Sequence, residues 1–202
     1  MPEIIIPDLP ELDFEEQTHT YRLNGLVIPS VTTIMKPISD AEYKGISQQT
    51  LDTAASKGTS VHEAVENWVK FKVEDIQPEF KPYFDAFLDW VDKFKPTFIG
   101  SEVRMYHRML GYAGTVDLLV FIDGKLTLID VKSTYNVIEK ACGLQLEAYA
   151  QALASHGIKV EQKMILHLTR EGKHREVWFV ANDTERWRVF NSLKCVYDYI
   201  NK

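Results

Sequence analysis

The stretch Tyr112-Ala-Gly-Thr-Val-Asp-Leu-Leu-Val-Phe-Ile-Asp-Gly-Lys-Leu-Thr-Leu-Ile-Asp-Val-Lys-Ser133 decides the fold. Two runs rich in β-branched and aromatic residues, Tyr112 to Ile122 and Leu126 to Ser133, flank Asp123-Gly124, a dipeptide suited to the left-handed backbone of a tight turn. A two-residue turn there sets Ile122 opposite Lys125 and, further along, Asp117 opposite Asp130. Side chains alternate along a strand, so Asp130 and Lys132 share one face and Lys132 sits diagonally across from Asp117. The other face reads Val116, Leu118, Val120, Ile122, Ile129 and Val131 and is assigned to the core.

Outward from this hairpin, Phe98 to Leu110 supplies a third strand, joined through Gly111, to make a meander. A helix from about Glu139 to Ser155 follows, stopped by Gly157. Val160 to Thr169 and Arg175 to Val180 form a strand pair around Glu171-Gly172, and Asp183 to Ile200 closes as a helix. On the N-terminal side, Asn24-Gly25 marks a short hairpin over Tyr21 to Ile28. Residues from about Ser39 to Phe71 read as helix, with Ala54, Val61, Ala64, Val65 and Trp68 at helical spacing, and Gln77 to Phe94 as another entered through Pro78. The order predicts an α/β (α+β) chain with a central mixed five-stranded sheet flanked by helices, plus an N-terminal hairpin and helical segment. Residues 1–17 are expected as an acidic tail and 18–202 as one domain.

Composition narrows the function classes. At 202 residues, 45% hydrophobic and 26% charged, the chain is neither disordered nor fibrous and can bury a core without disulfides. Its two cysteines, Cys142 and Cys195, cannot build a four-cysteine iron–sulfur cluster or zinc ribbon. Six acids in residues 1–16, with no Lys or Arg among them, account for the whole net charge of −6, so the body is formally neutral and charge does not forbid a polyanionic substrate. With no apolar run of membrane length and no basic leader, the expectation is a cytoplasmic protein, bacterial or from a phage-infected cell, without a membrane partner.

Two carboxylates about 5 Å apart on a sheet repel one another. A protonated acid, Lys132 alone or a divalent cation would each compensate them. Hard oxygen ligands suit magnesium or manganese, one or two ions. A cross-strand salt network is the competing structural reading, and the buried-strand run Leu126-Thr-Leu-Ile129 before Asp130 weighs against it, because unpaired charge is costly there.

Gly114-Thr-Val-Asp117, Leu128-Ile-Asp-Val-Lys132-Ser-Thr134 and Gln145-Leu-Glu-Ala-Tyr149, with Lys57-Gly-Thr-Ser-Val-His62 upstream, resemble the PD-(D/E)XK nuclease superfamily and in particular its RecB-like exonuclease branch. Val27-Ile-Pro-Ser-Val-Thr-Thr33 after the hairpin resembles the start of phage-type and mitochondrial genome maintenance exonucleases. The resemblance implies a restriction-endonuclease-like core and a metal-dependent DNA exonuclease acting on ends or single strands in recombination, repair or phage genome processing. It implies His62, Asp117 and Asp130 as metal ligands with the Val131 carbonyl as another, Lys132 as the catalytic lysine and Glu102 as an assisting acid. Gln145 and Tyr149 then orient Lys132 or the DNA. A structure-specific endonuclease and a non-catalytic nucleic-acid-binding module on the same fold are the alternatives. Val116 stands where the superfamily has its proline, and no phosphate-binding Gly-x-x-x-x-Gly-Lys-Ser/Thr loop is present, so movement along DNA would need a protein partner from recombination or replication, an oligomer or a narrow channel.

Each residue also has an ordinary structural reading. His62 competes with a packed helix histidine, with Gly58 one turn earlier leaving room for a neighbouring backbone. Glu102 reaches the Asp117 face only if the Leu110-Gly111 turn preserves the register. Gln145 and Tyr149, one turn apart, also suit simple packing. Ser30, Thr32 and Thr33 at a helix start are either phosphate ligands or an N-cap. Tyr21, Tyr43, Trp68, Tyr106 and Tyr135 are candidate stacking surfaces for single-stranded bases.

Overall fold

The computed structural model describes residues 4–201. The Asp123-Gly124 turn forms as expected, both residues having positive φ (49° and 77°), and the antiparallel ladder runs from Ile122↔Lys125 to Leu118↔Ile129. It joins β5 (Ala113–Ile122) to β6 (Lys125–Lys132). On the far side of β5 lies β4 (Thr97–Tyr106). β6 pairs in parallel with β7 (Gln162–Leu168), which pairs antiparallel with β8 (His174–Phe179), giving a five-stranded mixed sheet in the order β4-β5-β6-β7-β8. The parallel step is made by the crossover helix α5 (Glu139–Ser155).

That crossover covers the sheet on both faces. On one face Leu118, Val120, Ile122, Ile129 and Val131 pack against α3 (Gln48–Phe71) and α4 (Lys81–Phe94). On the other, Leu119, Phe121, Leu126 and Leu128 pack with residues of α5, of the short α1 (Val31–Ile34) and of α6 (Thr184–Ile200). A parallel connection brings its helix over the sheet, so both faces are core. Val116, expected with the first set, belongs to the second.

Several boundaries differ for local reasons. The expected helix from Ser39 is two, α2 (Lys36–Glu42) and α3, broken where Gly45 takes φ 90° and Ser47 caps α3 by accepting from the Thr50 amide. Helix α4 starts at Lys81 with Pro82 in its first turn, and Pro78 precedes it in a turn. Strand β4 stops at Tyr106, because His107 Nδ1 accepts from the Met109 and Leu110 amides and folds His107 to Gly111 into a wider loop.

The acidic segment expected as a tail is, from Ile4 onward, part of the folded structure; residues 1–3 lie outside the described residues. Leu12–Glu15 is strand β1, pairing with β2 (Thr20–Leu23), which forms the expected Asn24-Gly25 hairpin with β3 (Leu26–Ile28). Leu12 and Phe14 turn inward while Asp13 and Glu15 face solvent, so the acids occupy the wet side of an amphipathic strand. Tyr21 Oη, hydrogen-bonded to Thr115 Oγ1 at 2.7 Å, ties this small sheet to β5. Among the described residues no helix is long and apolar enough to cross a membrane.

Helix α5 is anchored by a buried ion pair. Glu147 and Lys163 have fully buried side chains in contact, and Glu147 also accepts from Gln151 Nε2 (2.8 Å) and the Asp183 amide (3.1 Å). Removing one partner strands a buried charge. Lys163→Ala is therefore expected to lower unfolding stability by about 3–5 kcal/mol in urea titrations, and a loss below about 1 kcal/mol would show that the pair does not hold α5 on β7.

Candidate active site

The β5–β6 ladder stops one step short of the aspartates. Beyond Leu118↔Ile129, the Asp117 side chain takes the place of a strand partner, with Oδ2 accepting from the Val131 amide at 2.6 Å. The Val131 carbonyl accepts from His62 Nε2 at 2.9 Å. A carbonyl only accepts, so Nε2 carries a proton and Nδ1 is the nitrogen turned toward the acids, 3.5 Å from Asp117 Oδ1 and 3.9 Å from Glu102 Oε1. His62 reaches this point from α3 on one face of the sheet, Gln145 and Tyr149 from α5 on the other.

Glu102 arrives by a preserved register. The loop after β4 is wider than two residues, but the pairs Ser101↔Leu118 and Val103↔Val116 flank Glu102 and Asp117, which therefore lie opposite one another. An even shift keeps the face. Glu102 sits at φ 49°, just beyond the register irregularity between Phe98 and Gly100, and its side chain is 28% exposed. Irregular backbone of this kind re-aims a side chain out of the pleat.

One donor atom from each of His62, Glu102 and Asp117 lies within 4.8 Å of the others. It holds two of the expected ligands, His62 and Asp117, together with Glu102, expected as an assisting acid. Asp130, 3% exposed, is drawn to Lys132, whose Nζ is 2.7 Å from Oδ2, and the Val131 carbonyl is occupied by His62. Asp117, Asp130, Lys132, Gln145 and Tyr149 nevertheless share one cavity of about 210 Å³ with His62 and Glu102.

The charges push the titrations apart. Burial raises the Glu102 carboxyl to about 7, with Asp117 adding to the effect, and burial against incomplete compensation by Lys132 raises Asp130 to about 6. Burial alone would raise Asp117 and lower His62, but their mutual attraction overrides it, holding Asp117 below the usual carboxylate range and His62 up at about 9. Burial likewise works against the Lys132 ammonium, yet Asp130 and then Asp117 hold its pKa above that of an ordinary lysine.

The donor set fits a divalent cation. Carboxylate oxygens and an imidazole nitrogen together suit a divalent metal ion, and the Nε2–H bond to a backbone carbonyl is the contact that orients a metal-binding histidine. Asp130 Oδ2 is buried without a hydrogen-bond donor, since its contact with Lys132 lies outside hydrogen-bond geometry. That oxygen keeps Lys132 as its ion-pair partner, in the cavity it shares with His62, Glu102 and Asp117.

The remaining expected residues divide. Gln145 Nε2 donates to Tyr149 Oη at 2.9 Å, and the Tyr149 ring fills the space where a Cβ on Gly114 would stand, 2.4 Å from Cε1. Packing and site are here one arrangement. Ser30 is the N-cap of the four-residue α1, accepting from the Thr33 amide at 3.0 Å. Ser30 and Thr32 line the cavity and Thr33 does not. Gly58 was expected to admit a close backbone, but a Cβ there would meet nothing within 4 Å. It borders an open groove with Thr59 and His62. Of the aromatic candidates, Tyr21 and Tyr106 are buried and Trp68 packs on Phe87 and Phe98, leaving Tyr43 and Tyr135 exposed. His19, which sequence reasoning missed, lines the cavity from the turn after β1, held edge-on to Phe14 and Tyr21. The alternation Leu12-Asp-Phe-Glu15 was the signal that could have found that turn.

Two outcomes follow for the protein in chelator. Glu102 has its pKa raised from 4.5 to about 7, so the folded state holds its proton more tightly and Glu102 favours folding most at low pH, less as pH climbs through 7. His62, raised from 6.5 to about 9, acts in the same direction at higher pH. Glu102→Gln should therefore gain stability relative to the parent as pH rises from about 4.5 to 7; thermal melts showing a constant difference would refute the buried-acid description. Gly114→Ala should cost about 1–3 kcal/mol by forcing the Tyr149 ring aside, read as a lower urea midpoint.

No curated protein is similar enough in sequence to be matched. Among solved structures, the chain is similar to SSO0001 (14% identity, TM-score 0.47, covering 83% of this chain and 74% of that one). It is also similar to an alkaline exonuclease from Laribacter hongkongensis (10% identity, TM-score 0.42, covering 83% and 84%). The same exonuclease in complex with dAMP gives 12% identity and a TM-score of 0.43, covering 84% and 85%. The family model of the PD-(D/E)XK nuclease superfamily matches residues 40–197, a span that includes His62, Glu102, Asp117, Asp130 and Lys132, and the chain belongs to that superfamily.

Proposed function

We propose that the chain is a metal-dependent deoxyribonuclease, an exonuclease that hydrolyses phosphodiester bonds at DNA ends or in single strands during recombination, repair or phage genome processing. The observation that carries this reading is the convergence of one donor atom each from His62, Glu102 and Asp117 within 4.8 Å, beside the Asp130–Lys132 pair. Magnesium or manganese fits that donor set. A bound divalent ion supplies charge neutralisation at the attacked phosphate and activation of the attacking water.

The side chains do the rest. Val131, through its amide and carbonyl, fixes Asp117 and His62 so that both aim at one point. Lys132, kept protonated by the neighbouring aspartates, presents a cation from the same cavity to the charge that builds on the phosphate, and its Nζ–H groups orient the water. This favours an electrostatic role for Lys132 over that of general base. Gln145 and Tyr149 brace the α5 side of the cavity, their hydrogen bond fixing both rotamers.

The test is incubation with end-labelled linear and covalently closed circular DNA, single- and double-stranded, in magnesium, manganese or EDTA. Linear DNA should be shortened in either metal, circles left intact, and EDTA should stop the reaction. Nicked or linearised circles would favour the endonuclease alternative; intact linear DNA under every condition would favour a binding module. Lys132→Ala should lower the rate by about 10²–10³-fold in protein that still unfolds cooperatively, at a lower midpoint because the buried Asp130 loses its cation. Manganese at 100 times its dissociation constant should stabilise the parent by about 2.7 kcal/mol and leave Asp117→Asn almost unshifted.

A further inference from the structure

Two of the aromatic side chains that the core does not absorb meet in one place. Tyr43, in the break between α2 and α3, and Tyr135, just past the end of β6, both line an open groove of about 840 Å³ with Ile46, Lys57, Phe80 and Ile138. The exposure of these side chains is not that of a core edge: Tyr135 is 87% exposed, Ile46 44% and Tyr43 41%. The backbone beneath Tyr135 is braced. The Thr134 carbonyl accepts from His167 Nε2 at 2.7 Å, and Thr134 Oγ1 donates to the Asn136 carbonyl at 2.8 Å. A pinned turn therefore holds an aromatic ring out to solvent, where it contributes nothing to packing.

We infer that this groove is a stacking site for the unpaired bases of single-stranded DNA entering or leaving the cavity that holds Lys132, with Tyr43 and Tyr135 as its platforms. The inference rests on the nuclease reading of that cavity. Its position follows from the chain: Tyr135 is three residues after Lys132, so their Cα atoms are at most about 11 Å apart, within reach of one short run of unpaired nucleotides. Its chemistry follows from the lining. Lys57 is balanced there by Glu42, so phosphate attraction is weak and affinity has to come from the aromatic and aliphatic surface. A duplex keeps its base faces stacked internally and offers such a surface nothing, whereas an unpaired base gains about 1–3 kcal/mol on an aromatic ring. The groove thus selects single strands, or ends that have frayed.

Fluorescence anisotropy in EDTA, where no cleavage occurs, tests this with the full chain, a labelled thymidine oligonucleotide, the same oligonucleotide with abasic positions, and a labelled duplex. Tyr135→Ala and Tyr43→Ala should each weaken single-strand binding by about 5- to 100-fold while leaving duplex binding within about twofold, and Tyr135→Phe should bind like the parent. Abasic substitution should weaken binding to the parent but add no more than about twofold to the defect of the double alanine variant. Parent-like single-strand affinity in both alanine variants, with unchanged thermal midpoints, would overturn the stacking site and leave the groove to a protein or peptide partner. A parent that binds neither single-stranded nor duplex DNA, in EDTA or in calcium, would instead overturn the nuclease reading itself.

Discussion

The site depends on one residue's peptide groups. Where the β5–β6 ladder ends, the Val131 N–H and C=O that would have continued it are taken by Asp117 and His62. Buried backbone polar groups must find partners, so this substitution has two effects. It satisfies the strand end, and it fixes a carboxylate and an imidazole relative to each other through a third, rigid element. Two flexible side chains thereby acquire the positional accuracy of a β-strand, which a binding constellation requires.

Coverage of the sheet on both faces makes that accuracy useful. Helix α3 delivers His62 from one side while α5 delivers Gln145 and Tyr149 from the other, and the two sets meet only because the strands part at the same level. The enclosed charges cannot all ionise comfortably. Glu102 and Asp130 are pushed toward neutrality and Asp117 away from it, while protons on His62 and Lys132 carry the compensating positive charge.

Much of this was legible because β-structure obeys parity. The Asp123-Gly124 turn fixed the pairing of β5 with β6, and the face shared by Glu102 and Asp117 survived a loop wider than expected because the shift was even. Helical spacing found α3 and α5, and with them His62, Gln145 and Tyr149. Other features were hidden for physical reasons. The acids of residues 8–16 concealed β1, since net charge sums both faces of a strand and only alternation separates them. Pairing rules assume a regular ladder, so they placed Asp130 as the direct partner of Asp117 and gave Glu102 less weight. The ladder's early end and the left-handed backbone at Glu102 lie outside that assumption.

By itself, then, the sequence determined which residues share a strand face, which helices are amphipathic, and which acids, histidine and lysine are near one another in the chain's pattern. These are local properties, fixed by the two-residue period of strands and the 3.6-residue turn of helices. Tertiary structure alone decided which donor atoms converge, that Asp130 answers to Lys132 while Glu102 joins His62 and Asp117, and that Tyr43 and Tyr135 share one groove. Those facts depend on where strands part and how helices from opposite faces meet, and such distances arise only when separate elements pack.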